Sequence, residues 1–566
     1  VTKAVPAALR AGVAGLALLG LVACTGTTAE VTASTPASAA SSPSASSSSA
    51  PSSSAPADPT TASSPSATGS AEAAHAEATA EPETLVWGPT VDAWEQALDD
   101  AAELGLWEAA GAVIMPAYSG TDPEELADLV ADASLAGVML MGDATRSRKT
   151  VLALTEAAQA GAGDRGWQAL VSVDQEGGSV ARLDGIVPSL QSFMAAGAAT
   201  DKSLVRGVYA RAGADLAELG FAVDLAPVAD VTIGLDDPVI RDRSAGDDPS
   251  AVAGTVVAAM LGYLDGGVVP ALKHFPGHGA ATTDSHDDVP VLSGSLDDLE
   301  ATGIAPFRRA IAVGAPMVMM SHVAVDAWGG IPASLDPEAY AYLREELGFT
   351  GVAVTDALNM GAIIGSHDAG EAAVDALAAG ADLLLMPEST KAARRAIVSA
   401  VKEGSLSRER LNEAAARVIL LSRWQESLTT VEATVDGDYA EALALGSVTV
   451  GAADCSAPFV GDTVTISGGF EADREALAAA FEDEGVSVGD DGTSVWITGG
   501  DGASGEADVV VAMGGPWALA RSQARVYVGA YGRSADTLAA VASVLAGAAD
   551  PQGSWPVALK GVPDAC

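Results

Sequence analysis

From Thr84 onward the chain alternates short apolar runs with stretches of helical period. The runs are Gly111–Met115, Gly137–Met141, Ala169–Val173, Ala222–Leu225, Val268–Leu272, Met317–Ser321, Gly351–Thr355 and Asp382–Leu385. Between them lie amphipathic segments such as Asp122–Ala133, Asp201–Leu219 and Asp336–Leu347. Alternating strand and helix implies parallel pairing, because parallel strands need a crossover connection. Eight such units predict a (β/α)8 barrel of the TIM type over residues 84–430. The polar residues strengthen this reading. Asp174 follows the third run, Asp230 lies shortly after the fourth, and Lys273 and His274 end the fifth. His322 ends the sixth and Asp356 the seventh. In a barrel all of these share the C-terminal face, where such barrels keep their active sites.

A helix-rich segment, Ser389–Trp424, closes the barrel pattern. A second alternation follows from about Ala444, with apolar runs such as Thr463–Ser467, Val495–Thr498 and Val509–Met513. It predicts a smaller, sandwich-like α/β domain over 431–566, with no cluster of ionisable groups. Ahead of the barrel, residues 24–83 are mostly Ser, Thr, Pro and Ala. Such a segment buries too little apolar surface to offset its ordering entropy, so a disordered tether is expected, with an end-to-end distance on the order of 40 Å. Residues 1–23 read as an export signal, with Lys3 and Arg10 before the short apolar run Ala11–Val22. The run ends in Leu21-Val22-Ala23-Cys24, which resembles a bacterial lipobox. That resemblance implies lipidation of Cys24; an ordinary secretory signal is the alternative.

Composition narrows the classes of partner. The net charge is −46, and no Lys or Arg lies between Arg10 and Arg146, so no basic patch is available for nucleic acid. After export, Cys455 and Cys566 would meet an oxidising environment, where a disulfide between them would tie down the C-terminus.

Four of the six histidines, His274, His278, His286 and His322, fall in one short region. Histidine titrates near physiological pH, so such a cluster marks proton transfer or metal binding. Lys273–Gly279 (KHFPGHG), Asp284-Ser285-His286, Asp174–Leu183 (DQEGGSVARL) and Gly348–Met360 (GFTGVAVTDALNM) together resemble glycoside hydrolase family 3, in its β-N-acetylglucosaminidase branch. The resemblance covers about residues 85–425, and more weakly the last domain through Gly553–Val557.

What the resemblance implies can be placed residue by residue. Asp356 is the expected nucleophile of a retaining mechanism. His286, paired with Asp284, is the expected acid and base on a lid-like loop. Asp174, Arg182, Arg243, Lys273 and His274 are the expected substrate-binding residues, and Gly177-Gly178 would allow close backbone approach to the sugar ring. The stretch Asp237–Pro249 departs from the family pattern: Ala245 stands where an aromatic is usual, and Arg241 is an added charge. From the residues alone, Asp356 could equally cap a helix, and His274, His278, Asp284 and His286 could hold zinc. The spacing matches no compact zinc motif, and neither a metal nor an organic cofactor is implied.

The expected protein is a lipid-anchored exo-β-N-acetylglucosaminidase at the extracellular face of the membrane, or secreted, acting as a monomer on peptidoglycan or muropeptide fragments. The competing readings are a β-glucosidase or a phosphorylase of the same family, and a wall-binding lipoprotein without activity.

Overall fold

The computed structural model describes residues 82–286, 288–431, 435, 437–500 and 504–566. The expected export signal, Cys24 and nearly all of the expected tether lie outside these residues. Among the described residues no helix is long and apolar enough to cross a membrane.

Eight staves pair in parallel. The first is Ile114–Met115, continued past Pro116 by Ala117–Tyr118; the next three are Gly137–Leu140, Leu170–Val173 and Val223–Asp224. The last four are Val269–Phe275, Met317–Met320, Val352–Thr355 and Leu384–Leu385. Pairing runs from Ala117 with Met139 round to Met317 with Val352. The Val354–Leu383 bridge joins the seventh stave to the eighth, and Ile114 pairs with Leu384, so the ring closes. The expected TIM-type barrel is therefore present, followed by a second α/β layer.

One boundary differs from expectation. The run Gly111–Met115 does not start as strand: Leu106–Gly111 is helical, and the stave begins at Ile114. Short Ala-rich apolar runs suit a buried helix as well as a buried strand, so periodicity alone cannot divide them.

The crossover helices start where side-chain caps place them. Asp122 accepts from the backbone N–H of Glu124 ahead of Pro123–Ala133, and Asp248 accepts from Ala251 ahead of Pro249–Asp265. Each satisfies an otherwise orphaned donor, with proline at the first helical position, where no N–H is needed. At the start of the eighth stave the buried Asp382 is held by Arg344, Arg410 and Arg417, an ion cluster away from the barrel's C-terminal face.

The smaller domain carries a six-stranded sheet in the order Thr449–Ala452, Val526–Gly529, Val509–Ala512, Thr493–Ile497, Thr463–Gly468, Ser487–Val488. Only the first strand runs antiparallel to its neighbour. Cys455 and Cys566 form a disulfide with Cα atoms 5.6 Å apart, and Cys566 N–H donates to Val450 O. This domain is fastened to the barrel by backbone bonds: Ser192 N–H to Tyr531 O, Ser554 N–H to Ala198 O, and Asp247 N–H to Pro556 O.

Candidate active site

The third stave ends at Val173 and runs through Asp174 into a short hairpin, Gln175–Gly177 against Val180–Ala181. Extended backbone alternates its side chains, so Asp174 and Glu176 emerge on the same side. Lys273, at the end of the fifth stave, donates Nζ–H to Asp174 Oδ1 (2.5 Å) and to Glu176 Oε1 (2.6 Å). Arg243 meets Glu176 with two parallel bonds, Nε to Oε2 (2.9 Å) and Nη2 to Oε1 (2.8 Å), the geometry a guanidinium offers a carboxylate. Arg182 Nη2 lies 3.7 Å from Asp174 Oδ2. Burial by itself would raise the Glu176 carboxyl, but the charges of Arg243 and Lys273 outweigh it and hold the group well below the usual carboxylate range.

A second set is built on Asp230, which is fully buried after the fourth stave. Its Oδ2 lies 2.7 Å from His274 Nδ1, and its Oδ1 accepts the backbone N–H of His278 (2.6 Å). The carboxylate fixes the His274 ring and leaves Nε2 as its other polar atom. His322, from the sixth stave, has Nε2 2.9 Å from Ala357 O and Nδ1 2.7 Å from Ser334 Oγ. A carbonyl can only accept, so Nε2 carries the proton, and burial lowers the ring's pKa further toward the neutral form. His322 thereby pins the residue that follows Asp356.

Asp356 directly follows the seventh stave. Its backbone N–H donates to Met320 O (2.8 Å), and its Oδ1 accepts the N–H of Ala357 (2.7 Å). Burial pushes this carboxyl up, whereas the neighbouring His322 and His274 and the Ala357 N–H pull it down, and the net direction is below the ordinary value. The group is ionised at neutral pH.

The loop after the fifth stave is docked against the segment that follows Asp356. Gly361 N–H donates to His286 O (3.2 Å), and Ala362 N–H to Ser285 O (3.3 Å). Within the loop, buried His278 Nε2 lies 2.9 Å from Ser285 Oγ. Asp284 Oδ1 accepts the His286 backbone N–H (2.9 Å) and sits 2.7 Å from His286 Nδ1. Burial would raise Asp284, but these two contacts hold it below the usual range. The His286 side chain is 64% exposed, so it forms the rim of the site.

Asp174, Arg182, Arg243, Lys273, His274, His286 and Asp356 all line one pocket of about 330 Å³ at the C-terminal face of the barrel. Asp284 stands behind His286. Its apolar wall includes Met139, Met319 and Met360.

One local expectation is corrected. Gly177 and Gly178 do not line the pocket; they have φ of +96° and +56°, and a Cβ on Gly177 would lie 2.4 Å from Gln191 O. They serve close packing against Leu190–Ser192 instead of a close approach to a sugar. Arg241, the added charge, donates Nε–H to Asp237 O (2.9 Å).

Glu176 was not singled out from the sequence, although it lies inside the Asp174–Leu183 word and two residues from Asp174. That alternation was the available signal. Among the described residues no three His, Cys, Asp or Glu side chains converge as a metal site.

A family model described as the glycosyl hydrolase family 3 N-terminal domain matches residues 102–421. The chain is 38% identical over 226 residues to the β-hexosaminidase LpqI of Mycobacterium tuberculosis, which is 38% of this chain and 57% of that protein. It therefore spans little more than half of that relative's length. Against a β-hexosaminidase of Stenotrophomonas maltophilia it is 36% identical over 276 residues, 47% of this chain and 80% of the relative. The solved structure of a family 3 β-N-acetylglucosaminidase from a Paenibacillus species superposes with a TM-score of 0.70 at 27% identity, covering 81% of this chain and 99% of that one. The family match takes in every barrel stave and more than half of the sequence, and the chain belongs to glycosyl hydrolase family 3.

Proposed function

We propose that the protein is a retaining exo-glycosidase that removes terminal β-linked N-acetylglucosamine. One observation carries this reading: Asp356 and His286 come from different segments yet line the same small pocket as Asp174, Arg182, Lys273 and His274. Asp356 attacks the anomeric carbon, and protonated His286 gives its Nε2 proton to the departing oxygen. In the second step the neutral imidazole takes a proton from water, which displaces Asp356 from the sugar. Asp284 orients the ring through Nδ1 and stabilises the imidazolium. Asp174, Lys273, Arg182, Arg243 and His274 supply the donors and acceptors that hold the sugar hydroxyls.

The relatives named β-hexosaminidase support N-acetylglucosamine as the sugar released. Lipidation at Cys24 and a tether over 24–83 would hold the enzyme at the outer face of the membrane, within reach of peptidoglycan or muropeptide fragments. The test is release of 4-nitrophenol from its β-N-acetylglucosaminide and its β-glucoside in phosphate-free buffer with EDTA. Hydrolysis of the first alone supports the reading. Preference for the glucoside, or turnover only when phosphate is added, replaces it.

A further inference from the structure

The loop that carries His286 is held unequally along its length. Its first half, residues 277–281, is tightly fitted. Gly279 O accepts the Ile233 N–H (3.1 Å), and a Cβ on Gly279 would lie 2.3 Å from Val231 O. His278 N–H donates to Asp230 Oδ1, and the other oxygen of that carboxylate holds the ring of His274. One buried carboxylate thus fixes both the root of the loop and a ring that lines the pocket.

The second half, residues 282–286, has fewer holds. Thr282, Thr283 and His286 are exposed, and Asp284 is half-buried. Its backbone bonds to Gly361 and Ala362 are long, at 3.2 and 3.3 Å. Ser285 differs from its neighbours in being 2% exposed. A buried hydroxyl needs a partner, and Ser285 Oγ finds one in His278 Nε2 at 2.9 Å. That bond ties the second half of the loop to the first.

The His278 ring has no polar atom to offer a sugar. Nε2 is taken by Ser285, and Nδ1 is buried with no hydrogen-bond partner among the described residues. Burial also lowers the ring's pKa, so it stays neutral at pH 7 and is not the proton donor. Its single side-chain bond instead falls on the residue between Asp284 and His286. Those two are joined through Nδ1, so they move as a pair whose aim Ser285 sets. Aim matters here, because a general acid must come within roughly 2.6–3.2 Å of the oxygen it protonates.

We propose that His278 is a positioning residue for the proton donor: its bond to Ser285 sets where the Asp284–His286 pair stands relative to Asp356. The proposal rests on the reading of His286 as acid and base given above. No bond is made or broken at His278 itself during the reaction.

The experiment compares two β-N-acetylglucosaminides on the full chain. The 2,4-dinitrophenyl glycoside has a leaving group that needs little protonation, whereas the β-1,4-linked dimer must expel a sugar alcohol. His278→Ala should lower kcat/KM about tenfold for the dimer and no more than about twofold for the dinitrophenyl glycoside. With the latter, kcat and KM should fall together, because a misplaced base lets the glycosyl-enzyme accumulate. Azide, which attacks without a base, should restore kcat. His278→Gln, whose amide reaches the place of Nε2, should recover most of the loss. Ser285→Ala should reproduce the loss, and the double variant should be no worse than either single one, as partners in one bond require. Thermal melts report the folding of each variant, and Ser285→Ala, the milder change, carries the test if His278→Ala does not fold. Equal losses on both substrates, additive effects in the double variant, or no loss at all overturns the proposal. His286→Ala is the control for the parent reading and should show the same split, more steeply. If it does and His278→Ala does not, the proposal falls and the acid–base assignment stands. If His286→Ala shows no split, that assignment falls and takes the proposal with it.

Discussion

Asp356 and Asp224 are both aspartates at the C-terminal ends of barrel staves, and their surroundings drive them in opposite directions. Asp356 has imidazoles and a backbone N–H to offset its burial and stays ionised. Asp224 is fully buried, accepts the Gln175 N–H, faces the like charge of Asp174, and is pushed up to about 8. A carboxyl raised on folding holds a proton that the unfolded chain releases, so stability from this group is full below the unfolded pKa of about 3.9 and is lost as pH rises toward 8. Asp224→Asn should therefore raise the thermal midpoint at pH 8 and leave it nearly unchanged at pH 3.5; an equal change at both would refute the assignment. Glu176 works the other way. Removing it strands Arg243 in a buried site and leaves Lys273 with Asp174 alone, and Glu176→Ala should cost about 3–5 kcal/mol in denaturant unfolding and abolish measurable activity. Asp174, Lys273 and Arg243 were legible in the sequence because they stand in specific words at stave ends. Glu176 and Asp230 were legible only as neighbours, since what makes them important is a partner some 44 to 67 residues away.

At the scale of elements, the docked loop is the part most open to test. Gly361 begins the short helix Gly361–Ile364, and Met360 before it is extended, with φ −73° and ψ 152°. Both conformations suit proline at position 361, which removes the N–H that holds His286 O. Gly361→Pro should thus keep the fold while loosening the loop, lowering kcat/KM about fivefold, as loss of one bond of ~1 kcal/mol allows. An unchanged rate would mean that the loop is held by other contacts. The eight staves could be read from sequence because each is a continuous apolar run bounded by polar residues, and the helices because Asp or Ser caps precede them. The start of the first stave could not, because Ala109-Ala110-Gly111-Ala112 fits helix and strand alike. Nor could the loop's docking, which depends on backbone bonds that no side-chain pattern encodes.

For the molecule as a whole, the second domain is more than an appendage. It is bonded to the barrel through Ser192, Ala198 and Asp247, next to the segments that carry Glu176 and Arg243. The Cys455–Cys566 disulfide closes a long loop around its sheet, a separation of 111 residues. Cys566→Ser should destabilise the protein by about 2–5 kcal/mol, read by calorimetry, and leave nitrophenyl hydrolysis at 25 °C unchanged. Sequence indicated this domain and its two cysteines, but not its fastening to the barrel, because those bonds run mainly through the backbone. The account's central claim is that Asp356 forms a covalent bond to the sugar, and trapping tests it most directly. The protein is incubated with a 5-fluoro-N-acetylglucosaminyl fluoride, digested and sequenced by mass spectrometry. The account predicts one added sugar on the peptide containing Asp356, and no adduct in Asp356→Ala. An active enzyme that gives no adduct, or an adduct on another residue, would contradict it.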